Sequence, residues 1–285
     1  MRRYCAFRRT VVRVLLVGAL LMATTGCAVG KRLSGLNEQP QLDLSEKQLA
    51  WIGQQVYRNE CSSRRPCLVH WNQGEAFPSL GIGHFIWYPE GVDGRFVESF
   101  PALVGFLEGQ GVELPAWLKA QILRGAPWPD RQAFLRAEGR DGRIEELRRL
   151  LEREQAGQTA FLLQRAQAGL EQIASASGDP AATRRKIRLL TETPGGAYAL
   201  IDYVNFKGEG LAESERYDGV GWGLLQVLET MESPGAQEAL PTFRQAAAAV
   251  LAARAQRAEN PIEREQWLPG WLNRVDTYRE PAEAL

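Results

Sequence analysis

The segment that most constrains the fold of this chain is residues 199–206, which read Ala-Leu-Ile-Asp-Tyr-Val-Asn-Phe and are almost wholly apolar. Such a segment is expected to form a helix buried at the centre of a core. Other segments repeat apolar residues at helical spacing and would supply the surrounding helices. They are residues 45–59, 115–123, 130–137, 144–173, 182–190, 221–231, 242–258 and 267–278. The sequence therefore predicts a mainly α fold.

One segment departs from the helical pattern. Residues 79–88 alternate glycine with apolar and aromatic residues, which predicts a short β-hairpin. The hairpin follows residues 61–78, whose prolines and glycine are typical of a loop. The helix before this loop begins with a capping box of Ser45 and Gln48. Glu60 is expected at the C-terminal end of that helix, facing the loop that leads into the hairpin.

The N-terminus is predicted to be a targeting segment. Residues 1–26 carry arginines followed by an apolar run that is too short to span a bilayer, which requires about 20 apolar residues. Small residues then precede Cys27, an order that resembles a bacterial lipobox. The resemblance implies cleavage before Cys27, lipidation of its thiol and a tether over residues 27–43, and Ala28 is compatible with sorting to the outer membrane, facing the periplasm. An ordinary signal peptide with an incidental cysteine and a short signal anchor are the alternatives.

Charge and cysteine content narrow the function. Without residues 1–26 the chain has 29 basic and 34 acidic residues, which argues against a nucleic-acid partner because such proteins normally present a basic face. In an exported protein Cys61 and Cys67 are typical of a disulfide that closes a short loop. A metal site is the weaker interpretation, since His70 and His84 are the only histidines and four ligands are not assembled nearby. No cofactor is expected.

Glu60 has the chemistry of a catalytic acid. Cleaving a glycosidic bond requires a carboxylic acid that is still protonated near neutral pH. The partial negative charge of a helix C-terminus disfavours the ionised carboxylate, and burial against Trp71 or Phe77 would act in the same direction. We therefore expect the pKa of Glu60 to be raised. The alternative is a surface glutamate at a helix end.

The motifs resemble those of one enzyme family. A glutamate at the end of the first helix, then a loop, then Ser-Leu-Gly-Ile-Gly-His at residues 79–84 resembles the active-site signature of phage-type lysozymes, whose turn reads Thr-Ile-Gly-Ile-Gly-His. Residues 199–209 are similar to the buried central helix of those enzymes, and residues 271–278 to their closing Asn-Arg helix. The resemblance implies a lysozyme-like α+β domain over residues 44–285, with a longer helical insertion at about residues 89–198.

The resemblance also implies roles for individual residues. Glu60 would be the general acid, and Ser79 takes the place of a threonine that holds the attacking water, a task that a serine hydroxyl can also perform. The turn residues expected to contact the substrate are Gly81, Gly83 and His84. Asn205 and Gln226 belong to a second polar cluster, and one of them is expected to contact the acetamido groups of the glycan. Helix packing is the alternative for both.

The loop departs from the family pattern. The family has an aspartate between the glutamate and the threonine, whereas this loop is four residues longer and has Val69 and Gln73 at the corresponding positions. Glu75 is the only carboxylate in the loop, so it is the candidate second catalytic group, with an exposed loop glutamate as the alternative. His70 is a further candidate for polar assistance.

The predicted function is cleavage of the β-1,4 bond between N-acetylmuramic acid and N-acetylglucosamine in peptidoglycan. Hydrolysis by two carboxylates is favoured over lytic transglycosylation, in which the sugar's own hydroxyl attacks the anomeric carbon. Three alternatives stay open: a non-catalytic peptidoglycan-binding envelope lipoprotein, an enzyme that acts on another amino-sugar polymer such as chitin, and an envelope scaffold that binds through the helical segment at residues 130–190.

Overall fold

The computed structural model describes residues 42–94, 96–232, 235–283 and 285. The predicted targeting segment, Cys27 and most of the predicted tether lie outside these residues, so their assignments stay predictions. Within the described ranges, no helix is long and apolar enough to cross a membrane. These residues are mainly helical with a small antiparallel sheet, which confirms the mainly α fold class and the presence of a small β element.

The first helix begins and ends where the sequence predicts. In α1 (Glu46–Cys61), the Ser45 hydroxyl accepts a hydrogen bond from the backbone N–H of Gln48 at 3.2 Å, and the Gln48 side chain accepts one from the Ser45 N–H at 2.8 Å. This is the predicted capping box. The helix ends where Ser62 adopts the left-handed conformation, with φ of 49°. Glu60 therefore lies in the last turn of α1.

The predicted hairpin forms two strands of a three-stranded antiparallel sheet. Its strands β2 (Ser79–Leu80) and β3 (Phe85–Ile86) pair Ser79 with Ile86 and Leu80 with Phe85. An additional strand, β1 (Val69–His70), pairs with β2 from within the segment expected to be a loop, after a 3₁₀ turn at Arg65–Leu68. A strand of two residues is too short to show alternation in the sequence, but it brings His70 directly opposite Ser79.

Ten further helices follow the sheet in the described residues. They are α2 (Phe100–Gly109), α3 (Ala116–Gln121), α4 (Arg131–Ala137), α5 (Gly142–Arg153), α6 (Gln155–Ala176), α7 (Pro180–Thr191), α8 (Pro194–Lys207), α9 (Leu224–Thr230), α10 (Ala239–Arg257) and α11 (Leu268–Val275). Most lie within or close to predicted segments. A π-helical turn, Glu263–Trp267, leads into α11.

The long helix predicted for residues 144–173 is two helices, which corrects the expectation. The chain breaks between α5 and α6 at Glu154, whose φ and ψ of −97° and 32° are not helical. The Gln158 side chain donates hydrogen bonds to the carbonyl oxygens of Leu151 at 2.6 Å and Glu154 at 3.1 Å. Carbonyl groups at the end of α5 are thereby satisfied by a side chain, and the break costs few hydrogen bonds.

Two elements were not predicted. Helix α2 buries Phe100, Leu103, Val104 and Leu107 on one face, although its short length gave no clear signal in the sequence. A strand pair, β4 (Arg216–Tyr217) and β5 (Val220–Gly221), lies just before α9. Gly221 is therefore in a strand, and the helix expected from residue 221 begins three residues later.

Helix α8 is at the centre of the core, as predicted. It packs against α1, α6, α7, α9 and α10, and every residue from Gly195 to Tyr203 is buried. Gly196 allows the close approach of α7, because a Cβ atom there would lie 2.1 Å from the carbonyl oxygen of Leu190. Its C-terminal end carries Asn205, Phe206 and Lys207, which are only partly buried. The ends of α1 and α8 and the helix α11 meet around the Glu60 carboxylate.

Candidate active site

Glu60 is held by three side chains from three parts of the chain. Its Oε1 accepts a hydrogen bond from Arg274 Nη2 at 2.6 Å and another from Asn205 Nδ2 at 3.3 Å. Its Oε2 lies 3.2 Å from His84 Nδ1 in the hairpin turn. The glutamate side chain is only 12% exposed. Helices α1, α8 and α11 and the turn thus converge on one carboxylate.

Arg274 is itself fixed by a fully buried aspartate. Its Nε and Nη2 atoms donate to the two carboxylate oxygens of Asp202 at 2.8 and 2.9 Å, and Tyr278 Oη donates to the same carboxylate at 2.8 Å. Asp202 is 0% exposed and Arg274 is 10% exposed. A planar guanidinium that binds two carboxylates in this way has little freedom to move. The network fixes the position of Glu60 through Arg274.

The pKa of Glu60 is lowered, so the expectation of a raised pKa is wrong for the ligand-free protein. Burial is the largest single influence and raises the pKa. The charges of Arg274 and His84 and the hydrogen bonds from Arg274 and Asn205 lower it, and together they outweigh burial. These contacts favour the charged form more than burial disfavours it.

The two aromatic side chains expected against Glu60 lie elsewhere. Trp71 packs against Phe134 and donates its indole N–H to the carbonyl oxygen of Glu75 at 2.8 Å. Phe77 packs edge-on against Tyr88. Both aromatic side chains pack within the loop and sheet region, and the polar partners of the Glu60 carboxylate in the described residues are instead Arg274, Asn205 and His84.

His84 connects Glu60 to the predicted disulfide. Cys61 and Cys67 are bonded to each other, with their Cα atoms 5.4 Å apart, which confirms the pairing. The second ring nitrogen of His84 lies 3.3 Å from Cys67 Sγ. The ligand atoms of Cys61, Cys67 and His84 lie within 4.8 Å of each other. A metal would require free thiolates at the two cysteines, whereas both sulfur atoms are joined in the disulfide.

The second candidate carboxylate, Glu75, lies beside Ser79. Glu75 Oε2 accepts a hydrogen bond from Ser79 Oγ at 3.4 Å and one from Asn72 Nδ2 at 3.1 Å. His70 is opposite Ser79 in the β1–β2 register. Burial and then the charge of His84 lower the pKa of His70. The predicted residues Glu75, Ser79 and His70 therefore lie close together on the sheet, and the charges of His84 and Glu75 both act on His70.

Gly81 and Gly83 have packing reasons to be glycine. Gly81 has φ of 71°, and a Cβ atom there would lie 2.2 Å from Gln158 Oε1, while a Cβ atom at Gly83 would lie 2.8 Å from the Phe85 ring. Gln158 Oε1 accepts a hydrogen bond from the Ile82 N–H at 2.9 Å. Both glycines are buried, and in this structure they allow the turn to pack closely against α6.

Asn205 and Gln226, the two residues of the second polar cluster, have different partners. Asn205 donates to Glu60 and belongs to the site. Gln226 instead accepts from the Gly223 N–H at 2.9 Å and donates to the Gly210 carbonyl at 3.1 Å. It caps the start of α9 and joins it to the loop after α8, which is the packing alternative. No contact joins Gln226 to Glu60 in the described residues.

No role was predicted for Arg274 and Asp202 from the sequence. A signal was present, because Asp202 is the one acidic residue in the largely apolar central helix. A charge at such a position needs a buried partner of opposite sign. Arg274 stands in the segment similar to an Asn-Arg helix, and it is that partner.

Two surface cavities, of about 390 and 370 Å³, lie along α10, α11 and the connection between α7 and α8. Glu60 lines neither of them.

Comparison of the chain with protein-family models, curated proteins and solved structures finds no match. The functional proposal therefore depends on the contacts of the side chains described above.

Proposed function

We propose that this chain has a lysozyme-like domain that cleaves the β-1,4 bond between N-acetylmuramic acid and N-acetylglucosamine in peptidoglycan, with Glu60 as the general acid. The observation that carries the proposal is the position of Glu60, a nearly buried carboxylate in the last turn of α1 that contacts His84 of the turn at residues 79–84. The resemblance of that turn to the signature of phage-type lysozymes supports the same chemistry.

The two oxygens of Glu60 would have different tasks. Among the described residues, Oε1 accepts hydrogen bonds from Arg274 and Asn205, whereas the polar partner of Oε2 is His84 alone. Oε2 is therefore the oxygen that would carry the proton and deliver it to the glycosidic oxygen. His84 Nδ1, at 3.2 Å, is close enough to return a proton to Oε2. Arg274 and Asn205 would stabilise the carboxylate that is left after proton transfer.

The proposal requires the substrate to change the protonation of Glu60. In the ligand-free protein Arg274 keeps this carboxylate charged, as its lowered pKa indicates. A glycan lying over Glu60 would displace water and strengthen the influence of burial, which already raises the pKa more than any other single contribution lowers it. Substrate binding would thus promote uptake of the proton that the reaction uses.

Glu75 and Ser79 would act on the attacking water. Ser79 Oγ donates to Glu75 Oε2, so the hydroxyl oxygen can accept a hydrogen bond from a water molecule. The Glu75 carboxylate can take the proton that this water loses when it attacks. This pair favours hydrolysis over attack by the sugar's own hydroxyl.

The test is release of soluble fragments from purified, dye-labelled sacculi by the wild type and by Glu60→Gln. Loss of a general acid typically lowers the rate by about 10²–10⁴-fold, and we expect a loss in this range with an unchanged near-ultraviolet circular dichroism spectrum. Glu90→Gln is the matched control, since Glu90 is exposed in the loop after β3. Activity of Glu60→Gln equal to that of Glu90→Gln would sink the assignment.

One observation favours a second candidate function, a peptidoglycan-binding lipoprotein without catalysis. The ion pair with Arg274 holds Glu60 in the charged form, which cannot donate a proton. Co-sedimentation of the protein with sacculi without release of any soluble muropeptide would support this candidate.

We also propose that the protein is anchored at the periplasmic face of the outer membrane through lipid on Cys27, as the lipobox-like sequence implies. Incorporation of labelled palmitate by the wild type and its loss in Cys27→Ser would support this; equal labelling would contradict it.

A further inference from the structure

A second group of charged side chains lies beside the Glu60 site, among aromatic rings. Lys207 Nζ, at the end of α8, lies 3.4 Å from the centre of the Trp271 ring and 4.1 Å from that of Phe206. The guanidinium of Arg254 lies 4.0 Å from the Trp222 ring and 4.8 Å from the Trp271 ring. We call these five residues the cation–aromatic cluster.

The charges in this region are unequally paired. Arg254 donates to Glu263 at 2.9 Å, with both side chains largely buried. Arg274 is paired with Asp202 and Glu60. For Lys207 the described residues provide no hydrogen bond and no carboxylate within 4.0 Å, and its Nζ lies over the rings of Trp271 and Phe206. Cation–π contacts are weaker than an ion pair with a carboxylate in a partly buried site.

Lys207 is close to the proposed catalytic group. The guanidinium of Arg274, which donates to Glu60, lies over the Phe206 ring at 4.1 Å. The Lys207 ammonium lies over the same ring. Lys207 is partly exposed, so a molecule bound over Glu60 can reach it. Its amino group, which has no hydrogen-bond or ion-pair partner in the described residues, therefore points to an acidic group on whatever occupies the site.

We propose that the cation–aromatic cluster binds a carboxylate of the substrate through Lys207, whose amino group the rings of Trp271 and Phe206 position beside the Glu60 site. Identifying that substrate as peptidoglycan rests on the proposed function. Peptidoglycan carries carboxylates on its stem peptides and, on strands without peptide, on the lactyl group of N-acetylmuramic acid. Polymers of N-acetylglucosamine alone carry none. The cluster would therefore select peptidoglycan over chitin.

The electrostatics of Lys207 add a pH dependence. Burial and the charges of Arg254 and Arg274 lower the pKa of Lys207 to about 6, while Glu263 and Glu60 raise it by less. Lys207 is thus mostly uncharged at pH 7 in the free protein. A bound carboxylate favours the charged form, so binding takes up a proton. Affinity should consequently fall as pH rises above about 6, by at most about tenfold per pH unit.

The test measures binding of small ligands by nuclear magnetic resonance, so that it does not depend on cleavage. The ligands are N-acetylmuramic acid with a free lactyl carboxylate, muramyl dipeptide with its carboxylate on the peptide, and neutral N-acetylglucosamine. The variants are Lys207→Met, which keeps an apolar stem against the rings, and Lys119→Met as the control, since Lys119 is exposed and paired with Glu108.

We expect Lys207→Met to bind at least one of the acidic ligands about tenfold more weakly or worse at pH 6, with unchanged affinity for N-acetylglucosamine. Loss confined to N-acetylmuramic acid assigns the lactyl carboxylate, and loss confined to muramyl dipeptide assigns the peptide carboxylate. Unchanged affinity for both acidic ligands, equal loss for the neutral sugar, or no binding of either acidic ligand to the wild type overturns the inference. Charge-selective binding without cleavage contradicts only the proposed function, and cleavage without charge selectivity contradicts only this inference.

Discussion

The two sides of the candidate site are held in different ways. On the helical side, Glu60, Asp202 and Arg274 are 12%, 0% and 10% exposed and are joined by contacts of 2.6–2.9 Å. On the sheet side, Glu75 is partly exposed and accepts a hydrogen bond of 3.4 Å from Ser79, a buried residue in the central strand of a sheet whose strands are two residues long. The acid is positioned by a buried charge network, whereas the second carboxylate is positioned by hydrogen bonds from two uncharged side chains.

This difference teaches which part of the site can tolerate change. Removing one member of a buried ion pair leaves an uncompensated charge in a low-dielectric interior. Removing a weak hydrogen bond to a partly exposed carboxylate leaves no buried charge without a partner. The buried charges of the helical side should therefore control stability as well as chemistry, whereas Glu75 on the sheet side should control chemistry with little effect on stability.

Asp202→Asn should have the largest effect, a loss of about 3–5 kcal/mol, because Arg274 loses the carboxylate that accepts two of its hydrogen bonds. Urea denaturation measures the change. Asp276→Asn is the control, since Asp276 is 65% exposed in its ion pair with Arg244 and such surface pairs contribute about 0–1 kcal/mol. Equal losses in the two variants would mean that the buried network does not stabilise the helical side.

Gly81→Ala should destabilise the protein by up to about 3 kcal/mol, because alanine at this position adds backbone strain and its Cβ atom would lie 2.2 Å from Gln158 Oε1. Gly139→Ala is the control for strain alone, since Gly139 has φ of 75° and nothing within 4 Å of an added Cβ atom. A smaller loss for Gly139→Ala in thermal denaturation supports the seating of the turn on α6. Equal losses would contradict it.

His84→Gln should raise the pKa of Glu60, because the charge of His84 is one of the influences that lower it. Titration of the Glu60 side-chain carbon by nuclear magnetic resonance measures both values. The wild-type pKa should lie below 4.5. Because the pKa of Glu60 is lower in the folded state, the carboxylate stabilises the folded state at pH values above its unfolded-state pKa. That stability is lost as the pH falls through the folded-state pKa. A raised wild-type pKa would contradict the account.

Glu75→Gln should have the smallest effect on stability, within about 0.5 kcal/mol, as for most substitutions away from buried networks. Hydrolysis of sacculi should nevertheless fall by about 10²-fold or more, because the base that acts on the water is lost. Asn72→Ala, which removes the other hydrogen-bond donor to Glu75, should lower the rate less. Full activity of Glu75→Gln would remove Glu75 from the mechanism.

The sequence predicted the features that depend on neighbouring residues. The capping box of α1, the turn at residues 79–84 and the Cys61–Cys67 pairing each depend on a few consecutive residues, and all three are present. The central position of α8 was predicted because an apolar segment of this length is shielded from water on all sides only within a core.

The features that the sequence did not predict depend on distant residues. Glu60 and Arg274 are 214 positions apart. Arg274, together with His84 and Asn205, lowers the pKa of Glu60, although the helix terminus and burial were expected to raise it. The break between α5 and α6 is satisfied by the side chain of Gln158, which also holds the turn. Neither contact leaves a local pattern in the sequence.

The central claim is that Glu60 donates the proton that cleaves the glycan strand. Its most direct test is mass spectrometry of the products after purified sacculi are incubated with the wild type and with Glu60→Gln. The account predicts soluble disaccharide-peptides with reducing N-acetylmuramic acid ends from the wild type and none from Glu60→Gln. Anhydro ends would keep the cleavage and remove the role of Glu75. No soluble product from the wild type, or the same products from Glu60→Gln, would contradict the claim.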